Sequence, residues 1–165
     1  IASCLVGSEM CIRDRDNRFV SERVNQLRNW NMNFLQGDIL DKEMVEKNFK
    51  DADVVHHLAG ITNVPRTKSE SVKSHDEKIL SVAKDGTKNI LDAMNDNCKI
   101  IFPSTHVVYE GIDEVSKDIK EEEETKPVLS YSKSKAINEK QIKESKKNYV
   151  ILRLGSVYGL SLIHI

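Results

Sequence analysis

Tyr131-Ser132-Lys133-Ser134-Lys135 places a phenol and an ammonium four residues apart in a segment that reads as helix. Positions four apart lie on one helix face, so both groups can reach a single ligand from one side. The flanks give the pair its context. Lys99-Ile100-Ile101-Phe102 is a strand-like apolar run that leads into Pro103-Ser104-Thr105, and Tyr149-Val150-Ile151-Leu152-Arg153-Leu154 follows the helix. A strand ending in hydroxyls, a helix carrying Tyr and Lys, and a further strand form an ordered set of parts.

The same alternation extends toward the N-terminus. Met32 to Gln36 reads as a strand that ends at Gly37-Asp38. Asp41 is placed to cap a short helix with Met44, Val45 and Phe49 on one face. Asp53 to Leu58 has the apolar run of a buried parallel strand, and a loop with Pro65 and Arg66 follows it. A long helix is expected over residues 76–94, turning Ile79, Val82, Ala83, Ile90 and Leu91 inward. Gly86 costs that helix about 1 kcal/mol relative to Ala, so close packing is the reason to expect a glycine there. The next strand runs from Lys99 to Ser104, an irregular segment reaches Pro127, and the Tyr131 helix ends near Lys146. Strand and helix alternating in this way predict an α/β fold with a doubly wound parallel sheet.

The bulk composition narrows the partners. The chain has 165 residues, enough to bury one core, with 31% charged residues and a net charge of −1. That balance argues against nucleic acid or an anionic membrane as the main partner. No apolar run approaches the length of about 20 residues that spans a bilayer. Cys4, Cys11 and Cys98 are few, odd in number and without metal-ligand spacing, which points to a reducing, cytoplasmic setting and to no metal site.

Between residues 30 and 159, these and other stretches carry a family likeness. They are Gly37-Asp38-Ile39, Val54-Val55-His56-His57-Leu58-Ala59-Gly60, Gly86-Thr87, Ser104-Thr105, Val108-Tyr109, the Tyr131/Lys135 pair, and Leu152-Arg153 through Val157-Tyr158-Gly159. In their order the chain resembles the extended short-chain dehydrogenase/reductases of the NAD-dependent epimerase/dehydratase family. The resemblance implies a Rossmann-like fold, NAD as cofactor (with NADP as the variant), and a small-molecule substrate of the nucleotide-sugar class. It also implies a homodimer for the complete protein.

It further implies roles for named residues. Tyr131 is the acid/base, Lys135 holds the cofactor ribose and favours the phenolate, and Thr105 orients the reacting oxygen. A free phenol has a pKa of about 10, and bringing it to about 7 takes roughly 4 kcal/mol, which a nearby ammonium can largely supply. The cofactor-binding set is Asp38, Ile39, Leu58, Ala59, Gly60, Ser104, Tyr131, Lys135 and Leu154. Asp38 is expected to accept from the adenine amine, and the small residues after Leu58 to let the backbone close on the dinucleotide. His56 and His57 read as packing and hydrogen-bonding residues. His106-Val107 stands where dehydratases of the family carry Asp then Glu, which counts against dehydration. Ala83 and Ser156 stand where the family carries Asn, a departure that favours a carbonyl reductase or alcohol dehydrogenase as an alternative to sugar epimerisation. A non-catalytic dinucleotide-binding regulator is the third reading, opposed by the intact Tyr/Lys pair.

The two ends depart from the family pattern. Gly7 is the only glycine before Gly37, so the glycine-rich loop expected after a first strand has no counterpart. Residues 1–15 and 160–165 also resemble translated sequencing-adapter read-through. They are read here as non-native segments flanking a partial NAD(P)-binding domain over residues 16–159. On that reading the fold is incomplete, lacking its first strand, glycine loop and C-terminal substrate lobe.

Overall fold

In the computed structural model, residues 3–7, 24–61, 72–112 and 118–156 are described. The strands are β1 (Ser3–Gly7), β2 (Asn33–Gly37), β3 (Val54–His56), β4 (Lys99–Thr105) and β5 (Asn148–Leu154). The helices are α1 (Lys42–Phe49), α2 (Lys73–Ala93) and α3 (Ser130–Glu144), and residues 24–29 are also helical. The fold is the expected α/β type with parallel pairing throughout: β1 with β2, and β3-β4-β5 as a three-stranded sheet.

One expectation is corrected. The N-terminal segment was read as lacking a first strand, yet Ser3–Gly7 pairs in parallel with Asn33–Gly37 along its whole length. The physical reason is that ladder bonds are made by the backbone, and Cys4-Leu5-Val6 is a short apolar run that suits a parallel strand. The glycine loop that would follow β1 falls on residues outside the described set.

Asp41 caps α1 as anticipated, accepting from the Met44 amide at 3.1 Å, and Val45 from this helix is fully buried. Helix α2 begins at Lys73, a few residues earlier than its apolar periodicity suggested. It buries Ile79, Ala83, Gly86, Thr87, Ile90 and Leu91. Ile100 and Phe102 from β4, Val55 from β3 and Ile142 from α3 complete the core with Cys98 and Met94. The outer strand β5 is less covered, with Tyr149, Val150, Leu152 and Leu154 exposed.

Helix α2 fastens both ladders. The Asn89 amide donates to the Ile39 carbonyl at 3.0 Å just past β2, while Thr87 meets His57 at 2.8 Å just past β3. The strand ends that the site needs are thus held by one helix.

Gly86 is where this docking is tightest. A Cβ there would lie 2.3 Å from Ile39 Cδ1 and 2.7 Å from its Cγ1. In Gly86→Ala the overpacking, about 1–3 kcal/mol, should exceed the helix-propensity gain of about 1 kcal/mol. We expect a net loss of about 1 kcal/mol in urea denaturation. In an Ile39→Ala background the obstructing atoms are gone, and the same substitution should become stabilising by about 1 kcal/mol. An unchanged sign in that background would refute the packing account.

Candidate active site

The C-terminal ends of parallel strands are where a doubly wound fold leaves a crevice, because chain segments diverge there to opposite faces. The candidate residues on or next to the strands lie at such ends. Asp38 and Ile39 follow β2, Leu58 to Gly60 follow β3, Ser104 and Thr105 close β4, and Leu154 closes β5. Tyr131 and Lys135 come from the first turns of α3, which packs against β4.

Thr105 is nearly buried and ends its strand with extended backbone. Its Oγ1 accepts from the Val107 amide at 3.3 Å, starting the 3-10 turn over His106–Tyr109. A hydroxyl used there as acceptor keeps its own proton to donate. Its neighbour is differently employed. Ser104 donates to Glu139 Oε1 at 2.6 Å, so the hydroxyl expected at the cofactor is committed to the protein interior.

Lys135 is drawn inward. Its Nζ donates to the Pro103 carbonyl at 2.9 Å and lies 4.7 Å from the centre of the Phe102 ring and 5.8 Å from that of Tyr131. Burial pushes the Lys135 amine down, because the charged form loses water. Burial likewise pushes the Tyr131 phenol up. The expected depression of the phenol by the ammonium is therefore not what this arrangement produces. The ammonium is engaged by a backbone carbonyl and an aromatic face, and desolvation governs both groups.

Behind Lys135 lies a polar seam between α2 and α3. With its amide turned to suit the surrounding acceptors, Asn138 donates to the Ala83 carbonyl at 3.0 Å, the Ser134 carbonyl at 3.2 Å and Thr87 Oγ1 at 3.3 Å. Thr87 in turn meets His57 Nε2, while His57 Nδ1 is buried with no hydrogen-bond partner among the described residues. The His57 ring packs against Phe102 at 5.4 Å between centres. Burial and the nearby Lys135 charge push the His57 pKa down to about 3, which makes it a neutral packing residue as its sequence context implied.

The largest feature not read from the sequence is a buried ion pair. Glu139 is 3% exposed and accepts from Arg153 through both oxygens, at 2.7 Å from Nη2 and 3.0 Å from Nε. Arg153 also donates to Tyr109 Oη and to the Glu121 carbonyl, and its guanidinium lies 5.0 Å from the Tyr109 ring centre. Burial would raise the Glu139 carboxyl, but bonds from Arg153 and Ser104 and the charge of Lys143 outweigh it and hold it low. The available signal was spacing: Glu139 follows Lys135 by one helical turn, on the face that looks at the sheet.

A Cβ added to Gly60 would meet open space, and Leu58 and Leu154 leave 66% and 43% of their surface exposed at the ends of β3 and β5. Asp38 Oδ1 already accepts from the Leu40 amide at 2.9 Å, which orients its carboxylate past the end of β2. Among the described residues no group of His, Cys, Asp and Glu is placed to hold a metal ion, and no helix is long and apolar enough to cross a membrane.

Comparison with known proteins agrees with this fold. The family described as the RmlD substrate binding domain matches residues 5–162. The chain is 37% identical over 134 residues to a Methanocaldococcus jannaschii protein provisionally named UDP-glucose 4-epimerase, covering 76% of this chain and 42% of that protein. It is 31% identical over 150 residues to dTDP-D-glucose 4,6-dehydratase of Dictyostelium discoideum, covering 81% of this chain and 33% of that protein. Among solved structures, UDP-glucuronic acid 4-epimerase from Bacillus cereus in complex with NAD superposes with a TM-score of 0.65 and 27% identity, over 82% of this chain and 44% of that one. The chain thus spans less than half the length of these relatives.

The His57 reading has a direct check. Below about pH 6.5 the unfolded chain binds a proton on this histidine that the folded chain refuses until about pH 3, so its contribution to stability falls as pH drops through that window. In NMR titration of the folded protein, the His57 ring resonance should stay still from pH 8 to about 4.5. A midpoint near 6.5 would show the ring to be solvated.

Proposed function

The chain belongs to the RmlD substrate binding domain family, and from that premise we propose that it forms the catalytic part of an NAD-dependent epimerase acting on a nucleotide sugar. What supports this reading is the bond between Lys135 on α3 and the end of β4 that carries Thr105. Lys135 is tied to Pro103, two residues before Thr105, and Tyr131 stands one helical turn away from it. The relatives' names, UDP-glucose 4-epimerase and UDP-glucuronic acid 4-epimerase, support a nucleotide sugar as the substrate class.

NAD, when bound, supplies the hydride acceptor and donor. Asp38 and the Ile39 backbone would hold its adenosine end, and Leu58, Ala59, Gly60 and Leu154 would line the dinucleotide. Lys135 would reach its ribose. The chain's own residues handle the proton. Thr105 donates to the sugar oxygen and orients it toward Tyr131. As its phenolate, Tyr131 would take the hydroxyl proton when the sugar is oxidised, and as the phenol so formed it would return a proton when the sugar is reduced. Burial favours the protonated phenol, which suits the return step. For the forward step Lys135 must turn from the Pro103 carbonyl toward the phenol oxygen, where its charge stabilises the phenolate.

A second reading, reduction of a simple carbonyl, draws on Ala83. The α2 backbone at this position is occupied by the Asn138 amide, and an Asn from α2 itself is missing. A reductase would consume one reduced cofactor per product, whereas an epimerase would consume none.

The test uses the complete protein containing this segment, with NAD and UDP-glucose. Tyr131→Phe should lower kcat by about 10²–10⁴-fold while leaving NAD affinity near the unsubstituted value. Full turnover in Tyr131→Phe would remove the acid/base role. Net NADH consumption without interconversion of sugar epimers would favour the reductase.

A further inference from the structure

Helix α3 carries the acid/base, yet it starts without the usual devices. Its cap residue is Leu129, which has no side-chain hydrogen bond to offer, and its first turn holds no acidic residue. Lys133 and Lys135 sit near the end of the helix where positive charge is disfavoured. The missing anion is provided from elsewhere in the chain. Glu110 Oε1 accepts from the Val128 amide at 2.7 Å, from the Leu129 amide at 2.7 Å and from the Ser132 hydroxyl.

Glu110 is also the residue that ends the 3-10 turn begun by Thr105, its own amide bonding to the Val107 carbonyl at 3.1 Å. The same turn is stitched to the segment entering α3 by two backbone bonds. Lys126 donates to the Val108 carbonyl and Gly111 donates to the Lys126 carbonyl, each at 2.9 Å. At Gly111 a Cβ would lie 2.6 Å from the Lys126 oxygen, so the two segments touch at backbone distance.

We infer that Glu110 is a positioning residue, whose one carboxylate holds the start of the Tyr131 helix in register with the turn that begins at Thr105. The inference rests on the acid/base reading above and adds a residue to it that touches neither substrate nor cofactor. Thr105 and Tyr131 stand 26 positions apart in sequence and belong to different elements. Their relative placement depends on how the chain re-enters α3, and Glu110 bonds to both sides of that entry. A substrate oxygen shared between two hydroxyls tolerates little error in their separation, because misplacement by about 1 Å can cost 10²-fold in rate. The carboxylate remains ionised for this task. Burial acts against it, but the bonds from Ser132, Leu129 and Val128 and the charge of Lys133 hold its pKa low.

The experiment compares Glu110→Ala and Glu110→Gln in the complete protein. It reads kcat, KM for UDP-glucose, NAD affinity and amide hydrogen exchange over residues 129–133. In Glu110→Ala we expect kcat to fall about tenfold or more, with KM and NAD affinity within about twofold, and exchange in that turn to rise about tenfold. Gln keeps an acceptor oxygen at the same reach, so Glu110→Gln should recover most of kcat and of the protection. Unchanged kcat and exchange in Glu110→Ala would overturn the inference. So would a parallel loss of kcat, NAD affinity and melting temperature in both variants, the mark of general destabilisation. Should Glu110→Ala not fold, Ser132→Ala removes one of the three donors and is held to the same criteria. A dispensable Tyr131 would fail the acid/base reading, whereas the exchange measurement reports on the clamp by itself.

Discussion

Glu139 is a carboxylate enclosed in the protein, and such a charge persists only where it is paired and fully hydrogen-bonded. Arg153 comes to it from β5, Ser104 from β4 and Lys143 from the next turn of its own helix. Three elements are therefore bound to one point. Sliding α3 along the sheet by a single turn would strand the carboxylate away from both partners, so the ion pair sets the height of the helix above the strands. Apolar packing of Ile142 on Phe102 and Ile100 is compatible with several neighbouring placements, since hydrophobic contact is not directional. The charge selects among them, and Tyr131 and Lys135 inherit their position from that choice.

The same logic explains why so many polar side chains lie under α3. Ser130, Ser132, Ser134, Asn138 and Glu139 are all buried, a set that would be costly in an ordinary core helix. Each has a partner. Ser132 serves Glu110 and the Leu129 carbonyl, Ser134 the Tyr131 carbonyl, and Asn138 three acceptors on α2 and α3. Small hydroxyl residues also let α3 approach α2 and β4 closely, which brings the Lys135 stem down to Pro103. These polar residues fasten the helix over β4, and its apolar content is correspondingly modest.

Most of the fold could be read from local pattern. The runs Asp53 to Leu58, Lys99 to Phe102 and Tyr149 to Leu154 became β3, β4 and β5 within a few residues, and the apolar period of α2 picked its buried face correctly. Cap chemistry located the start of α1 at Asp41. What escaped was set by partners distant in sequence. Cys4-Leu5-Val6 gave too short a run to stand out, and it becomes a strand only because Asn33–Gly37 lies alongside. Glu139 looked like one more charge on a helix rich in Lys, since nothing local announces that Arg153 will come to meet it. Ser104 and Thr105 are adjacent hydroxyls at a strand end, and only the family likeness assigns them different roles. Strand alternation sends one to Glu139 beneath the helix and leaves the other at the cleft.

The response of Lys135 to burial illustrates how much of the chemistry is postponed until a ligand arrives. In the chain as it stands, desolvation makes the ammonium less favourable and the phenolate less favourable at the same time, so each group rests in the state that avoids charge or is fastened to a carbonyl. A neutral phenol is not a base, and Tyr131 can accept a proton only after its own has left. On the proposed acid/base reading, a phenol that gives its proton to a substrate oxygen becomes a phenolate, and the nearby ammonium then has a developing negative charge to face. The low dielectric that raised the phenol then strengthens its attraction to the ammonium. Desolvation, which opposes ionisation of the phenol on its own, strengthens the proposed Tyr131–Lys135 pairing as the phenol gives up its proton.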